Sequence, residues 1–411
     1  MSEELLARLS QTETLTGSLG DYIAHFSFSS AVMLLMVIFM AVGAVDKIRG
    51  NRKGYGAAFD EGFHSMGPLA IAMVGVIAAA PVLRILLQPI ITPVYALVGA
   101  SPAVFATTLL ASDMGGYALA MSLAGEDLAV GNFAGLVVGT TMGCIILFDI
   151  PVALSIVPRR DHNILACGIL CGLVTVPVGC LAGGLLMNLT PYKIDLLTVV
   201  RNLIPVTVIA AAIAVGLWFK PRAMMNGFQT FGKGVTAVIT VCTVLAVFQY
   251  QTGIRLPLLD LMVTPGESGL TPLTDSLITV GNISLVLIGA FPMVEWIKRT
   301  FRRPLTALGR KLGVDETASA GFVANLANNI PVFHMIGEMT PKGKLLNIAF
   351  AVCAAFVFGD HLGFTAGVNQ AMILPVIAAK LVCGVSALLL ANALSQRLLG
   401  RIEGALAQDA S

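Results

Sequence analysis

Charge is what this sequence has least of. Of 411 residues, 12% are Asp, Glu, Lys or Arg, against roughly 25% in an ordinary soluble domain. So little charge cannot clothe a water-facing surface, and a soluble globular enzyme is excluded. Other absences narrow the class. No G-x-x-x-x-G-K-[ST] stretch is present, which removes the phosphate-cradling loop that ATP drive within the chain would use. The seven cysteines, at 144, 167, 171, 180, 242, 353 and 383, fall in apolar runs. Structural zinc needs a full shell of ligands, and Cys167-x3-Cys171 has no others nearby, so the thiols read as small apolar helix residues. The first residues, MSEELLARLSQTETLTGSLGDYIAHF, lack the basic start, short apolar stretch and small-residue cleavage site of a signal peptide. Residues 1–25 are therefore expected to form a retained polar tail. No cofactor, no metal and no nucleic-acid partner is expected.

What the sequence has instead is long apolar runs. A membrane span needs about 20 mostly apolar residues to cross roughly 30 Å of hydrocarbon. Charge-free runs approaching or exceeding that size lie at 26–45, 66–83, 128–148, 163–189, 202–219, 234–254 and 276–294. Two more, 345–359 and 362–379, flank Asp360-His361. The lipid bilayer is thus the expected solvent.

Lys and Arg collect in cytoplasmic loops. The basic positions are Lys47 to Lys53, Arg159-Arg160, Lys220 with Arg222, and the loop carrying Lys298, Arg299, Arg302, Arg303, Arg310 and Lys311. Loops 87–101 and 254–275 read as external. Three apolar stretches separate the first two basic sites, where an even number of crossings is required. The middle one, SPAVFATTLLASDMGGYALAMSLAG, resolves the parity if it enters and leaves on one side. Segment 317–339, TASAGFVANLANNIPVFHMIGEM, poses the same problem between basic loops and has the same solution from the inside. Nine crossings with two such hairpins is the preferred count; eleven full crossings is the alternative.

A duplication is also visible. Pro81 and Pro93 are spaced as Pro292 and Pro304 are, and each pair precedes a Gly, a polar hairpin and an apolar span with an early Asn, Asn132 or Asn347. The charge rule places the copies in opposite orientations, the plan of secondary transporters whose interrupted segments meet near the midplane. The expected fold is an all-α integral membrane protein, a polytopic helical bundle with inverted repeats and two re-entrant or broken helical hairpins. Its parts are repeat 1 at 26–189 with a hairpin near 103–124, a linking span at 196–219, repeat 2 at 226–396 with a hairpin near 317–339, and a tail at 397–411. The N-terminus is expected outside and the C-terminus in the cytoplasm.

Polar groups at depth are costly, and each is a functional candidate. Asp113 with Gly115 and Gly116 offers a carboxylate beside backbone able to unwind; the plain alternative is an interfacial cap. Asn325, Asn328 and Asn329 before Pro331 make poor helix and offer donors and acceptors to a hydroxyl or ammonium; otherwise they are polar glue between helices. Asp360 and His361 form another cluster. Lys380 lies inside a span and needs an anionic partner, Asp360 or Asp149. A structural ion pair is the leading reading there, and a stand-in for a coupling ion the other. Glycines 131–143 and 168–184 read as close helix packing.

The stretches AVDKI (44–48), EGFHSMGPLAIAMVG (61–75) and PIITPVYALVGASPAVFATTLLASDMGG (89–116) carry a resemblance, continued by IPVAL (150–154), VPVGCLAGGL (176–185), NGFQTFGK (226–233), GAFPMV (289–294), ANLANNIPVF (324–333) and FAVCAAFVFGDHLGF (350–364). The chain resembles the ethanolamine permease family encoded with bacterial ethanolamine utilisation genes, EutH, over nearly its whole length after residue 30. It departs from that pattern in a longer start and in Asp149, where a neutral residue would be expected. The resemblance implies uptake of ethanolamine across the bacterial inner membrane. Ethanolamine is a primary amine, cationic at neutral pH, and Asp113 is the candidate for its ammonium, Asn328 and Asn329 for its hydroxyl. Asp360 and His361 would line the path or relay protons. A passive facilitator or channel and an intramembrane aspartyl hydrolase using Asp113 and Asp360 are the competing classes; the Asn-rich hairpin has no task in the latter. A homo-oligomer rests only on analogy with other hairpin-bearing carriers.

Overall fold

The structure is a computed structural model that describes residues 12–266 and 269–409. No strand occurs among the described residues. Of the expected tails, residues 1–11 and 410–411 lie outside the described residues, as does Glu267 of the 254–275 loop. A helix, α1 (Thr12–Ala24), precedes the first span and is exposed, while the last helix runs through most of the expected C-terminal tail.

Eight helices among the described residues are long and apolar enough to cross a membrane. The first is α2 (Phe28–Ile48), started where the Ser27 hydroxyl accepts from the Ser30 N–H. Next, α3 (Tyr55–His64) continues into α4 (Met66–Ala96), which holds Pro81, Pro89 and Pro93. Two short helices follow, α5 (Ala103–Leu109) and α6 (Gly116–Ala124). The others of the first half are α7 (Leu128–Ile156) and α8 (His162–Leu186). Then come α9 (Leu196–Phe219) and α10 (Pro221–Thr252), with Asp195 capping α9 by accepting from the Thr198 N–H. The second half has α11 (Pro272–Leu312), short helices α12 (Glu316–Asn325) and α13 (Ile330–Met335), α14 (Pro341–Ala354), α15 (Asp360–Val368) and α16 (Ile373–Asp409).

The last two apolar runs divide differently from the sequence reading. The chain breaks at 355–359, and residues 360–368 form their own short helix before α16 begins. Phe356 takes a left-handed backbone angle there (φ 63°), a conformation bulky residues avoid unless their surroundings impose it. Apolar composition does not register such a break.

The span of α7 is 83% buried, whereas those of α2 and α10 are 11% and 17% buried. Helix α7 is therefore the centre, and α2 and α10 present valines and leucines outward. Much of α7 (133–143 and 145–149) is π-helical. Widened turns of that kind shift backbone hydrogen bonds to i→i+5 and are frequent at functional sites. Helices α8 and α16 pack along each other; α2 packs on α11, and α10 on α4. Loop 157–161 joins segment 337–344 through a buried Lys344–Asp161 ion pair (2.7 Å) and the Arg160 guanidinium on the Gly337 carbonyl (3.4 Å). Elsewhere the Asn369 amide donates to Asn132 Oδ1 (2.8 Å) and the Ser101 N–H to Asn202 Oδ1 (2.8 Å).

Candidate functional site: a carboxylate-lined cavity at two interrupted segments

Helices α5 and α6 have seven and nine residues; at 1.5 Å per residue neither spans the hydrocarbon. They pack on each other and on α7. The chain between them turns through residues 110–115, closing with Gly115 at φ 86°, an angle that suits glycine. Its position is fixed by side chains that use carbonyls of the π-helical stretch. Thr107 Oγ1 donates to the Ala134 carbonyl (2.7 Å), and Ser112 Oγ to that of Gly135 (2.6 Å). Gly143 permits the closest approach, since a Cβ there would collide with the Leu110 carbonyl and lie 2.8 Å from that of Thr107.

The second turn, between α12 and α13, is built on Asn328, whose Oδ1 accepts from the Ile330 N–H (2.8 Å). It pairs through its backbone with the break between α14 and α15. The Phe358 N–H donates to the Leu326 carbonyl (3.0 Å) and the Phe356 N–H to that of Asn325 (3.3 Å). Polar backbone freed in one interrupted segment is thus satisfied by the other, which burial at depth demands.

A cavity of about 560 Å³ opens onto both turns. Asp113 and Met114 from the first, Ala327 and Asn328 from the second, and Gly359 with Asp360 from the break line it. Phe148 and Phe291 supply aromatic surface, and Glu61, Glu295 and Lys298 stand at its wall. Asp113, Asn328 and Asp360 are half-buried. Asp360 sits in the first turn of α15. A second cavity of about 530 Å³ reaches the first turn from its other side, lined by Ser112, Gly115, Tyr117, Asp275, Asn282 and Phe364 among others. Ser112 to Gly115 stand between the cavities, with Asp113 and Met114 on the first and Ser112 and Gly115 on the second, while the edge-to-face pair Tyr117–Phe364 (ring centroids 6.0 Å apart) lines the second.

Of the residues that the sequence points to, the structure brings Asp113, Asn328 and Asp360 to one cavity and Gly115 to the other. Gly116 is buried, with its N–H on the Ala111 carbonyl (3.0 Å). Asn325, Asn329 and His361 are buried behind the cavity wall. Asn325 donates to Asn347 Oδ1 (3.4 Å), Asn329 donates to Asp149 Oδ1 (2.6 Å), and the His361 ring lies 5.4 Å from that of Phe356. Asn329 thus has a protein partner at the position expected to serve a substrate hydroxyl. The Lys380 ammonium donates to the Thr140 carbonyl (2.7 Å), and among the described residues it makes no ion pair within 4.0 Å, contrary to the expected contact with Asp149 or Asp360. Phe148, Phe291 and Glu295 complete the lining without a signal in the sequence, because apolar and interfacial residues of spans look alike there. Among the described residues no cluster of three or more His, Cys, Asp or Glu is arranged to hold a metal.

Such a cavity can hold a small organic cation, with carboxylates for its charge, an amide for a hydrogen-bonding group and aromatic faces for its alkyl portion and charge. Residues 28–394 match the family described as "Ethanolamine utilisation protein, EutH". A Listeria monocytogenes protein named "Probable ethanolamine permease EutH" is 49% identical over 91% of this chain and 96% of its own length. A Salmonella typhimurium protein of the same name is 44% identical over 87% of this chain and 93% of its own. The "Uncharacterized protein YxeR" of Bacillus subtilis is likewise 44% identical, over 87% and 93%. No solved structure matches this chain.

Proposed function

The chain belongs to the EutH family of ethanolamine utilisation proteins, and from that premise we propose that it takes up ethanolamine across the bacterial inner membrane by alternating access. The observation that carries this reading is the pair of cavities approaching one turn from its two sides, about 560 and 530 Å³ in volume, with Asp113, Asn328 and Asp360 gathered in one of them. In the proposed cycle the substrate ammonium lies between Asp113 and Asp360 beside Phe148, and Asn328 receives the hydroxyl. Closing the wall near Asn328 and parting Tyr117 from Phe364 would expose the same carboxylates to the opposite cavity.

The repeat and hairpin topology belongs to this reading. The exchanged packing, α2 on α11 and α10 on α4, is what an inverted duplication would produce. Contacts of 157–161 with 337–344, and of 132 with 369, fit two hairpins that re-enter from opposite sides. With the broken α14–α15 segment counted as a crossing, the N-terminus lies outside and the C-terminus in the cytoplasm.

Purified protein in proteoliposomes tests the function. Saturable uptake of labelled ethanolamine, suppressed by excess unlabelled substrate and not by ethylene glycol, is the expected outcome. Uptake that never saturates would favour a continuously open facilitator, and absence of uptake and binding would remove ethanolamine as the substrate.

A further inference from the structure

At the basic end of α2 lies a cavity of about 600 Å³ that the transport cycle does not use. One row of the helix forms its wall. Ile38, Val42 and Val45 recur at i, i+4 and i+7, and Arg49 continues the same row. The three apolar side chains are exposed, on a span that is 11% buried. At 1.5 Å per residue, Ile38 to Arg49 covers about 16 Å, close to half of the roughly 30 Å hydrocarbon layer. Arg52, Lys53 and Tyr55 close the polar end.

That end is a fixed turn, tied by buried Asp46. Its Oδ1 accepts from the Lys53 N–H (3.0 Å), its Oδ2 from the Gly56 N–H (3.1 Å) and its carbonyl from the Asn51 N–H (2.8 Å). Asn51 takes a left-handed angle (φ 55°), which asparagine tolerates, and its Oδ1 accepts from the Ala57 N–H (3.0 Å). Nearby carboxylates are engaged elsewhere, Asp60 with Lys47 and Glu295 with Arg299 (2.8 Å). Among the described residues Arg49, Arg52 and Lys53 make no ion pair within 4.0 Å and no side-chain hydrogen bond. The lining thus carries three cations against one carboxylate, and that carboxylate is spent on backbone N–H groups.

We propose that this cavity binds one anionic phospholipid, its phosphate on Arg49, Arg52 and Lys53 and an acyl chain along Ile38, Val42 and Val45. A guanidinium meets phosphate oxygens with paired donors. The leaflet-long apolar row asks for a hydrocarbon tail, which free phosphate lacks. Basic loops face the cytoplasm, so the site belongs to the leaflet whose anionic head groups attract juxtamembrane Lys and Arg.

The test is independent of what the protein transports. Full-length protein in neutral detergent micelles is titrated with phosphatidylglycerol labelled on one acyl chain. Unlabelled phosphatidylglycerol should displace the probe, whereas phosphatidylcholine and glycerol 3-phosphate at the same concentration should not. Combining Arg49→Gln, Arg52→Gln and Lys53→Gln should weaken binding by on the order of 10- to 100-fold. All three positions are exposed, so an unchanged Tm is expected. Combining Lys220→Gln, Arg222→Gln and Lys233→Gln removes as many charges from exposed positions off the cavity and should stay within about twofold of wild type. Equal loss in the two triple variants would mean diffuse attraction and overturn the proposal. Displacement by glycerol 3-phosphate would make this a phosphate site without a tail, and equal displacement by phosphatidylcholine would remove charge recognition; either overturns it. So does a wild type that does not bind the probe.

Discussion

Replacing Asp113 by Asn removes one charge and almost no volume, which isolates the carboxylate–ammonium interaction at the first turn. Asp113 is half-buried in a cavity of about 560 Å³ that it shares with Asp360. A charge-assisted hydrogen bond in such a setting is worth about 1.5–3 kcal/mol. At about 1.4 kcal/mol for each factor of ten, the Kd for ethanolamine should weaken roughly 10- to 100-fold. Equilibrium binding of labelled ethanolamine to detergent-purified protein measures it, with chromatographic profile and Tm showing that the variant is folded. Adding Asp360→Asn removes the remaining carboxylate of the pair and should abolish measurable binding. Glu61→Gln, at an exposed position on the same cavity, should stay within about twofold of wild type, as expected of screened surface charge. A folded Asp113→Asn protein that binds like wild type would refute the assignment of the ammonium to this turn.

Gly143→Ala should push the first turn off α7, because its Cβ would collide with the Leu110 carbonyl. Overpacking of this kind costs about 1–3 kcal/mol, read as a lowered Tm and weaker ethanolamine binding together. Phe364→Ala dissolves the ring pair with Tyr117 on the second cavity and removes packing beside the first turn, so it should cost about 3–5 kcal/mol of stability, read as a lowered Tm; an unchanged Tm would show that the pair carries no packing. Asn329→Ala leaves Asp149 Oδ1 without its donor, and an unmet buried acceptor predicts a loss of about 1–3 kcal/mol, visible as a Tm drop that Asp149→Asn partly reverses. Outside the spans, burial would raise the Asp315 carboxyl, but bonds from the Thr340 hydroxyl and the Ala318 and Thr340 N–H groups hold it below its ordinary value of 3.8. Protons are therefore bound more readily by the unfolded chain, and this contribution to stability is present above that value and lost as pH falls through the lower folded one. Tm against pH should show a step in the acid range that Asp315→Asn reduces.

Hydrocarbon thickness imposes a length on every span, and that constraint is written plainly in the sequence; the helical membrane fold follows from it. The break at 355–359 is hidden because Phe356, Val357 and Phe358 are as apolar as a continuous helix would be, and the left-handed angle of Phe356 arises from pairing with the second turn. Asp113 and Asp360 stand out because a carboxylate within a span is costly enough to need a purpose. Separating Asn328 from Asn325 and Asn329 is beyond the sequence. All three amides share one short stretch, and only the tertiary arrangement turns one to the cavity and the others toward Asn347 and Asp149. Lys380 announces itself as a buried charge, yet its hydrogen-bond acceptor is a backbone carbonyl, which no side-chain pattern reveals.

The partition at Ser112 to Gly115 has a pharmacological side. Each cavity, at about 530 or 560 Å³, is several times larger than a two-carbon amino alcohol, so neither antechamber can reject a bulkier amine by size. Sieving falls to the partition alone. Amines with enlarged head groups or longer chains should enter, engage the carboxylates and stall, becoming competitive blockers whose potency grows with the apolar surface they lay against Phe148 and Phe291. Such blockers would act from one side of the membrane only.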